Sequence, residues 1–147
     1  RQEVLGKSLL QHSRMSNAGF SGELQFDAGG GYMAALAVQV AFRALGGTDV
    51  PLAQRRMRLR IDILSATNLR ALSRSGYSDP YVRCSIRGRP AAAVQTKVVQ
   101  MSLEPVWNEE LVVEPYMAGE VLLVEIVDDF TLSSGSYTLG QAELVGE

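Results

Sequence analysis

The sequence predicts an all-β fold, an antiparallel β-sandwich. Segments in which apolar and polar residues alternate recur along the chain, and alternation with a period of two is typical of half-buried strands. In the clearest segment, 57–64, Leu59, Ile61 and Ile63 alternate with polar residues. Turn-forming residues separate these short segments, which indicates a sandwich. A chain of 147 residues is one ordinary domain with room for a substantial core.

Seven segments are predicted to be strands. The first ends at the glycine run 29–31. The alternation of the third starts just behind Pro80, which has no N–H to give to a ladder and is therefore expected where a strand begins. The sixth is almost wholly apolar, so we expect it to be central and covered on both faces. The seven segments are 22–27, 57–64, 81–87, 93–99, 107–113, 121–127 and 139–145.

Two segments are predicted to be helical, 2–11 and 32–45. The second is rich in alanine and bounded by glycines, which favours a helix. At about 1.5 Å per residue it would reach roughly 21 Å, short of the roughly 30 Å of a bilayer core, and Gln39 and Arg43 interrupt it. No transmembrane segment is therefore expected. Such a helix could pack on the sandwich, dock on a partner or lie in a membrane interface.

The net charge is −2, but its distribution is uneven. Residues 55–97 carry ten basic and two acidic residues, and residues 98–147 carry ten acidic residues and no basic one. Interleaved strands would turn this into cross-strand ion pairs. Segregation onto separate faces would instead make a dipolar domain with one face that favours anionic partners. We favour the first arrangement.

Several function classes are disfavoured. The glycines at 29–31 lack the Lys-Ser/Thr end of a phosphate loop, and no Cys–His metal spacing is present. His12 is the only histidine, with no nucleophile or acid beside it, and the arginines do not interleave with aromatic residues as in nucleic-acid binders. We expect neither an enzyme nor a nucleic-acid-binding protein. The lone Cys84 falls in an apolar alternation, which predicts a buried thiol and an intracellular, reducing compartment.

From about residue 57 to 147 the sequence resembles the C2 domain family, the membrane- and calcium-associated β-sandwiches of the synaptotagmin type. The run Gly-Tyr-Ser-Asp-Pro-Tyr-Val at 76–82 resembles the family's most recognisable motif. The run Leu-Glu-Pro-Val-Trp-Asn-Glu at 103–109 resembles its Asn-Pro-x-Trp-Asn-Glu turn, with Glu104 in the place of asparagine. Residues 59–69 and 122–128 match further strands in the family's order.

The resemblance implies an eight-stranded Greek-key sandwich over residues 22–147, preceded by an N-terminal extension at 1–21. The strand at 22–27 would be the family's first, and residues 28–56 would be an insertion that contains the helix. The last strand is missing from the sequence. Either the chain is trimmed from a longer protein, since it opens at Arg1 without methionine, or the N-terminal segment or a partner covers that edge.

The resemblance also implies a degenerate calcium site. Calcium-binding members of the family supply about five aspartates from two loops, since Ca²⁺ takes about 6–8 oxygen ligands. Asp79 and Asp128 match two of these positions, and Asp129 is displaced by one from a third, which is held by Phe130. Ser73 replaces an aspartate before the motif. We expect no cofactor or weakly bound calcium, and Asp79 could instead brace its loop as a hydrogen-bond acceptor.

A lipid-binding cluster is eroded in the same way. Ala93 and Gln95 stand where the family has lysines. The arginines could bind phosphate in part, or Arg83 and Arg87 could pair with the acidic half of the chain. Two third-loop residues could insert into a membrane or simply pack in the loop. The candidate lipid- or partner-binding residues are Tyr81, Arg83, Arg87, Arg89, Lys97, Phe130 and Leu132.

Two functions follow as expectations. The first is a non-catalytic accessory module, peripheral to a membrane, that docks on a protein partner or a larger membrane-bound assembly. The eroded sites and the predicted helix favour it. The alternative is a peripheral membrane-targeting domain that binds anionic phospholipid, with weak or no dependence on calcium.

Overall fold

A computed structural model describes residues 11–15, 19–29, 32–46, 51, 54–71, 76–130 and 135–146. These residues form nine strands and no α-helix. The strands are β1 (Gln11–Met15), β2 (Phe20–Gly29), β3 (Tyr32–Leu45), β4 (Arg56–Thr67), β5 (Pro80–Ile86), β6 (Arg89–Gln95), β7 (Val106–Met117), β8 (Val121–Phe130) and β9 (Gly135–Gly146). No described helix has the length and hydrophobicity needed to cross a bilayer.

The strands form two sheets, which confirms the predicted β-sandwich. One sheet has five strands in the order β1-β9-β8-β5-β6, and the other has four in the order β2-β3-β4-β7. Neighbours are antiparallel except for β1 and β9, which are parallel. The edge of β9 is therefore occupied by an N-terminal strand, one of the alternatives that the sequence left open.

The predicted helix at 32–45 is wrong, because this segment is strand β3, paired with β2 on one side and β4 on the other. Leu36, Val38 and Val40 are buried and point into the core, while the residues between them face outward. Burial of this apolar face outweighs the modest helix propensity of alanine. The other predicted helix, 2–11, lies outside the described residues except for Gln11, which begins β1.

Most predicted strands agree with the structure, with one shift. β6 spans Arg89–Gln95 instead of 93–99. The Thr96 hydroxyl accepts the Val82 N–H at 3.0 Å, and the Thr96 N–H donates to the Val82 carbonyl at 2.9 Å. The strand ends there because a side chain replaces the next rung of the ladder.

The core lies between the two sheets. β8 is flanked by β9 and β5, so it is central as predicted, but Leu123 and Glu125 on its outward face are only partly buried, and the predicted cover on both faces is wrong. Cys84 is a buried free thiol. The sheets approach closely where Gly140 meets Phe26, since a Cβ on Gly140 would overlap the aromatic ring. The largest fully buried side chains are Leu24, Leu36, Leu59, Ile61, Ile63, Ile86, Tyr116, Leu122, Ile126, Leu139 and Leu144.

The basic and acidic halves of the sequence meet across strands, as the interleaved arrangement predicts. Ion pairs join Arg87 to Glu143, Arg89 to Glu120 at 2.8 Å, Arg60 to Glu110 at 3.6 Å and Arg58 to Glu114 at 3.8 Å. Each pair takes its arginine from residues 55–97 and its carboxylate from residues 98–147. Four of the ten basic residues in 55–97 are thereby paired with carboxylates of the acidic half.

Candidate functional site

The end of the sandwich where β4 and β8 finish and β5 begins, which we call the loop end, brings together the predicted aspartates. Pro80 at the start of β5 pairs with Asp128 of β8, so Asp79 lies beside Asp128. The Asp79 N–H donates to Asp128 Oδ1 at 2.8 Å, and the Asp129 N–H donates to the Asp79 carbonyl at 2.9 Å. The proline that forces Asp79 into an extended conformation also fixes this contact.

Asp128 is the most constrained of the three. Its side chain is 1% exposed, and among the described residues its Oδ2 has no hydrogen-bond partner. Burial raises the pKa of Asp128, and the negative charges of Asp79 and Asp129 raise it further, while the Asp79 N–H and the Ser78 side chain oppose the shift. A buried carboxylate oxygen without a donor suits a proton or a cation.

Asp79 also braces the neighbouring loop. Its Oδ1 accepts the Met101 N–H at 2.7 Å, and the Ser102 N–H donates to the Ser78 carbonyl at 2.8 Å. These bonds tie the segment between β6 and β7 to the start of β5. The structural role that the sequence allowed for Asp79 is therefore present, beside its contact with Asp128.

The carboxylate oxygens at the loop end are ligands of the kind that Ca²⁺ prefers. Within the described ranges, no three His, Cys, Asp or Glu side chains lie close enough together to hold a metal ion, and Ca²⁺ requires about 6–8 oxygens. Ser73 and Leu132 lie outside the described residues, as does the side chain of Phe130. Their predicted roles stay predictions.

Four large apolar side chains are exposed at the same end, and we call them the apolar rim. Met33 is 53% exposed, Tyr77 46%, Met101 62% and Val106 61%. Met101 is held near Asp79 by the backbone hydrogen bond described above. Met33 is held by the Asn68 side-chain amide, which donates to the Met33 carbonyl at 3.3 Å. Sequence reasoning missed this rim because the period-2 pattern stops where the strands end.

The predicted basic residues do not form one site. Tyr81 and Arg83 lie in β5 near the loop end, and Arg83 stands opposite Glu125 of β8. Arg87 follows Tyr81 by six residues, which is about 20 Å at roughly 3.3 Å per residue, and it pairs with Glu143. The group is thus divided between the two ends of the sandwich.

Arg89 and Lys97 are also separated from each other. Arg89 holds Glu120 and donates to the Pro115 carbonyl at 2.8 Å, so it is used within the fold. Lys97 is exposed beyond the end of β6, and its backbone N–H donates to the Glu109 carboxylate at 2.9 Å. Of the predicted group, Lys97 is therefore the further basic residue that lies near Tyr81 and Arg83 at the loop end.

A family model described as the C2 domain matches residues 57–145. The chain belongs to the C2 domain family. Among curated relatives, tricalbin-1 of Saccharomyces cerevisiae is 37% identical over 81 residues, which cover 54% of this chain and 7% of the relative. Synaptotagmin-3 of Mus musculus is 34% identical over 93 residues, covering 60% of this chain and 15% of the relative. The chain thus spans a small part of these relatives.

Solved C2 structures have the same fold. A C2 domain of RIM2 matches with a TM-score of 0.54 and 23% identity, covering 74% of this chain and 80% of that one. Human GIVD cytosolic phospholipase A2 matches with a TM-score of 0.54 and 25% identity, but over 60% of this chain and only 13% of the enzyme. C2 domains are typically non-catalytic modules that bind membranes and phospholipid, often with calcium.

Proposed function

We propose that this C2 domain is a peripheral module that binds anionic phospholipid surfaces through its loop end. The observation that carries the proposal is the position of the apolar rim beside the Asp79–Asp128 pair. Exposed apolar residues are ordinary when scattered over a surface, but grouped ones mark an interaction site. Here four of them share one end with a buried carboxylate oxygen that has no hydrogen-bond partner within the described part of the chain.

Burial of the rim in the interfacial region supplies part of the driving force for membrane binding. Fully burying a side chain of this size is worth about 1.5–3 kcal/mol. Since each rim residue is roughly half exposed, insertion contributes about 1 kcal/mol per residue, or about 4 kcal/mol in total. Every 1.4 kcal/mol changes a binding constant about tenfold, so the rim accounts for roughly a thousandfold gain before the costs of ordering.

Calcium has a minor part in this proposal. Asp79, Asp128 and Asp129 together give a Ca²⁺ ion fewer oxygens than it needs. A lipid phosphate that completed the coordination would produce weak binding coupled to the membrane, and without that help the site would stay unfilled. We therefore propose association that depends weakly or not at all on calcium, with the domain on the intracellular side of its membrane, as the buried thiol of Cys84 suggests.

A protein-docking accessory module near a membrane is the second candidate. It is favoured by the use of Arg87 and Arg89 in internal ion pairs with Glu143 and Glu120, which removes two of the predicted lipid contacts. On this alternative the rim covers a protein partner or a larger membrane-bound assembly instead of lipid.

Liposome co-sedimentation tests the proposal. Vesicles of phosphatidylcholine, with and without phosphatidylserine, are mixed with the protein in Ca²⁺ and again in chelator. Since each rim residue contributes about 1 kcal/mol, replacing Met33 and Met101 by serine should weaken binding to anionic vesicles by about 2 kcal/mol, or roughly thirtyfold. The matched control is Leu45→Ser, which removes an exposed apolar side chain from the opposite end of β3 and should pellet like the wild type.

The outcomes separate the candidates. Equal pelleting of the Met33→Ser/Met101→Ser variant and the wild type would reject insertion of the rim. Absence of pelleting by the wild type in both conditions would leave protein docking. Pelleting that requires Ca²⁺ and is lost in Asp128→Asn would show that the three aspartates form a working ion site. The double replacement of Phe130 and Leu132 by serine tests the predicted third-loop insertion separately.

A further inference from the structure

Three arginines lie together on the outer face of the four-stranded sheet, away from the loop end. Arg43 of β3 stands directly opposite Arg58 of β4, and Arg60 follows two residues later on the same face, opposite Ala41. Leu59, between the two β4 arginines, points inward and is fully buried. The alternation of β4 therefore directs both of its arginines outward, towards Arg43.

This arrangement is electrostatically unfavourable unless it is neutralised, because like charges directly opposite each other destabilise a sheet. Arg58 is 3.8 Å from Glu114, and an exposed pair at this distance contributes about 0–1 kcal/mol. Arg43 has no ion-pair partner among the described residues. Of the facing pair, one guanidinium is weakly paired and the other is available.

Arg60 is held from two sides. Its Nη2 lies 3.1 Å from Asp62 Oδ2, and its Nε lies 3.6 Å from Glu110 Oε1. These contacts aim the guanidinium along the sheet and leave Glu110 as the carboxylate that borders the cluster on the β7 side. An extended polyanion that crossed β7 would meet Glu110 and Glu114, whereas a compact anion over β3 and β4 would meet the arginines.

A cleft of about 450 Å³ lies over these side chains. Ala41 is small, and it leaves a depression between longer neighbours. Clefts of about 300–1,000 Å³ accommodate small ligands, and guanidinium groups bind phosphate oxygens through paired hydrogen bonds. The lining residues are Ala41, Phe42, Arg43, Arg58, Arg60 and Glu110.

We propose that this cleft is a second binding site, specific for a compact group with several phosphates, such as an inositol polyphosphate, either free or as a lipid headgroup. Arg43 and Arg58 hold the phosphates, and Arg60 binds when the anion draws it from both Asp62 and Glu110. The site is on the opposite sheet from Tyr81 and Arg83, and it does not depend on membrane insertion by the apolar rim.

Isothermal titration calorimetry with inositol trisphosphate, in chelator, tests the site. The double variant Arg43→Gln/Arg58→Gln should bind inositol trisphosphate about tenfold or more weakly, because two bidentate guanidinium–phosphate contacts are lost. The matched control is Arg70→Gln with Arg83→Gln, which removes the same charge from residues that do not line the cleft and should change the affinity by less than about threefold. Glu110→Gln should tighten binding.

Four results would overturn the proposal: no binding by the wild type, unchanged binding by the Arg43/Arg58 variant, equal weakening in the control, or loss of binding in Arg83→Gln/Lys97→Gln alone. Equal competition by a phosphate-free acidic peptide would also overturn it. If the double variant fails to fold, Arg43→Gln alone serves, because Arg43 supports no described ion pair.

Vesicles distinguish the source of the phosphates. Binding to phosphatidylinositol bisphosphate vesicles that is lost in the Arg43/Arg58 variant assigns the site to a lipid headgroup. Binding of the soluble probe alone assigns it to a free ligand. The Met33→Ser/Met101→Ser variant should bind inositol trisphosphate like the wild type, so failure of the proposed loop-end function would leave this result intact.

Discussion

Removing the Arg89 side chain should destabilise the domain far more than removing other arginines of similar exposure. Arg89 contacts Glu120 twice, through Nε to Oε2 at 3.0 Å and through Nη2 to Oε1 at 2.8 Å, and donates to the Pro115 carbonyl at 2.8 Å. Glu120 Oε1 also accepts the Met117 N–H at 2.8 Å. This group of bonds ties β6, at the edge of one sheet, to the turn between β7 and β8.

The magnitude follows from the geometry. A hydrogen bond to a charged group contributes about 1.5–3 kcal/mol, but the Arg89 and Glu120 side chains are 35% and 27% exposed, so the lower end applies to the pair as a whole. We expect Arg89→Ala to cost about 2 kcal/mol, which lowers Tm by about 4–8 °C for a chain of this size. Arg89→Lys keeps the charge but loses the bidentate contact with Glu120, so its stability should fall between those of the wild type and Arg89→Ala.

Urea unfolding followed by the fluorescence of Trp107, the single tryptophan, measures these changes. A double-mutant cycle for Arg89 and Glu120 should give a coupling energy of about 1–2 kcal/mol. The same cycle for Arg58 and Glu114, which are 3.8 Å apart and 39% and 50% exposed, should give less than about 0.5 kcal/mol. Equal coupling in the two cycles would refute the reasoning from geometry and burial.

Three further predictions concern the core and the loop end. Gly140→Ala should cost about 1–3 kcal/mol, because its Cβ would collide with the Phe26 ring, and unchanged urea unfolding would contradict this. Since the folded-state pKa of Asp128 is raised, the folded state holds the proton more tightly and stability falls as the pH rises through that pKa. In chelator, Asp128→Asn should therefore have a higher Tm than the wild type at neutral pH, and this difference in Tm should shrink in acid. A difference in Tm that is the same at both pH values would contradict the argument. Burial raises the pKa of the Cys84 thiol to about 12, so a disulfide reagent should label it in urea but not in native buffer, and rapid native labelling would count against its burial.

The success of the sequence predictions depended on how local their signals were. β4 and β5 were found because Leu59, Ile61 and Val82 alternate with polar residues, and alternation is a local property. β3 was missed because alanines occupy the outward positions 35, 37 and 41, which hides the alternation of the buried residues and imitates a helix. Pairing with β2 and β4 decides that segment, and strand pairing is set by distant residues.

The same distinction applies to the candidate site. Asp79 and Asp128 meet because the motif at 76–82 leads into β5, and Asp128 lies near the end of β8, where the third loop starts. The resemblance to C2 domains therefore sufficed to place them together. The exposure of Met101 depends on how the β6–β7 segment lies on Asp79, which no local pattern encodes. The facing of Arg43 and Arg58 could not be foreseen while residues 32–45 were taken for a helix, because it is a consequence of strand register.

The distance between the two proposed binding surfaces limits how they can act together. Arg58 precedes the end of β4 at Thr67 by nine residues, or roughly 30 Å at about 3.3 Å per residue. If the strands stand upright on a flat bilayer that receives Met33 and Met101, the arginine cleft lies far from the bilayer surface. Debye screening weakens electrostatic attraction beyond about 10 Å, so the bilayer would not attract the cleft. The cleft therefore takes its phosphates from solution, from a second membrane, or from the same membrane only after the domain tilts onto its four-stranded sheet and withdraws the rim. A headgroup site and an insertion site on one small sandwich are then alternatives for a single bilayer, but they are compatible when two surfaces are bridged.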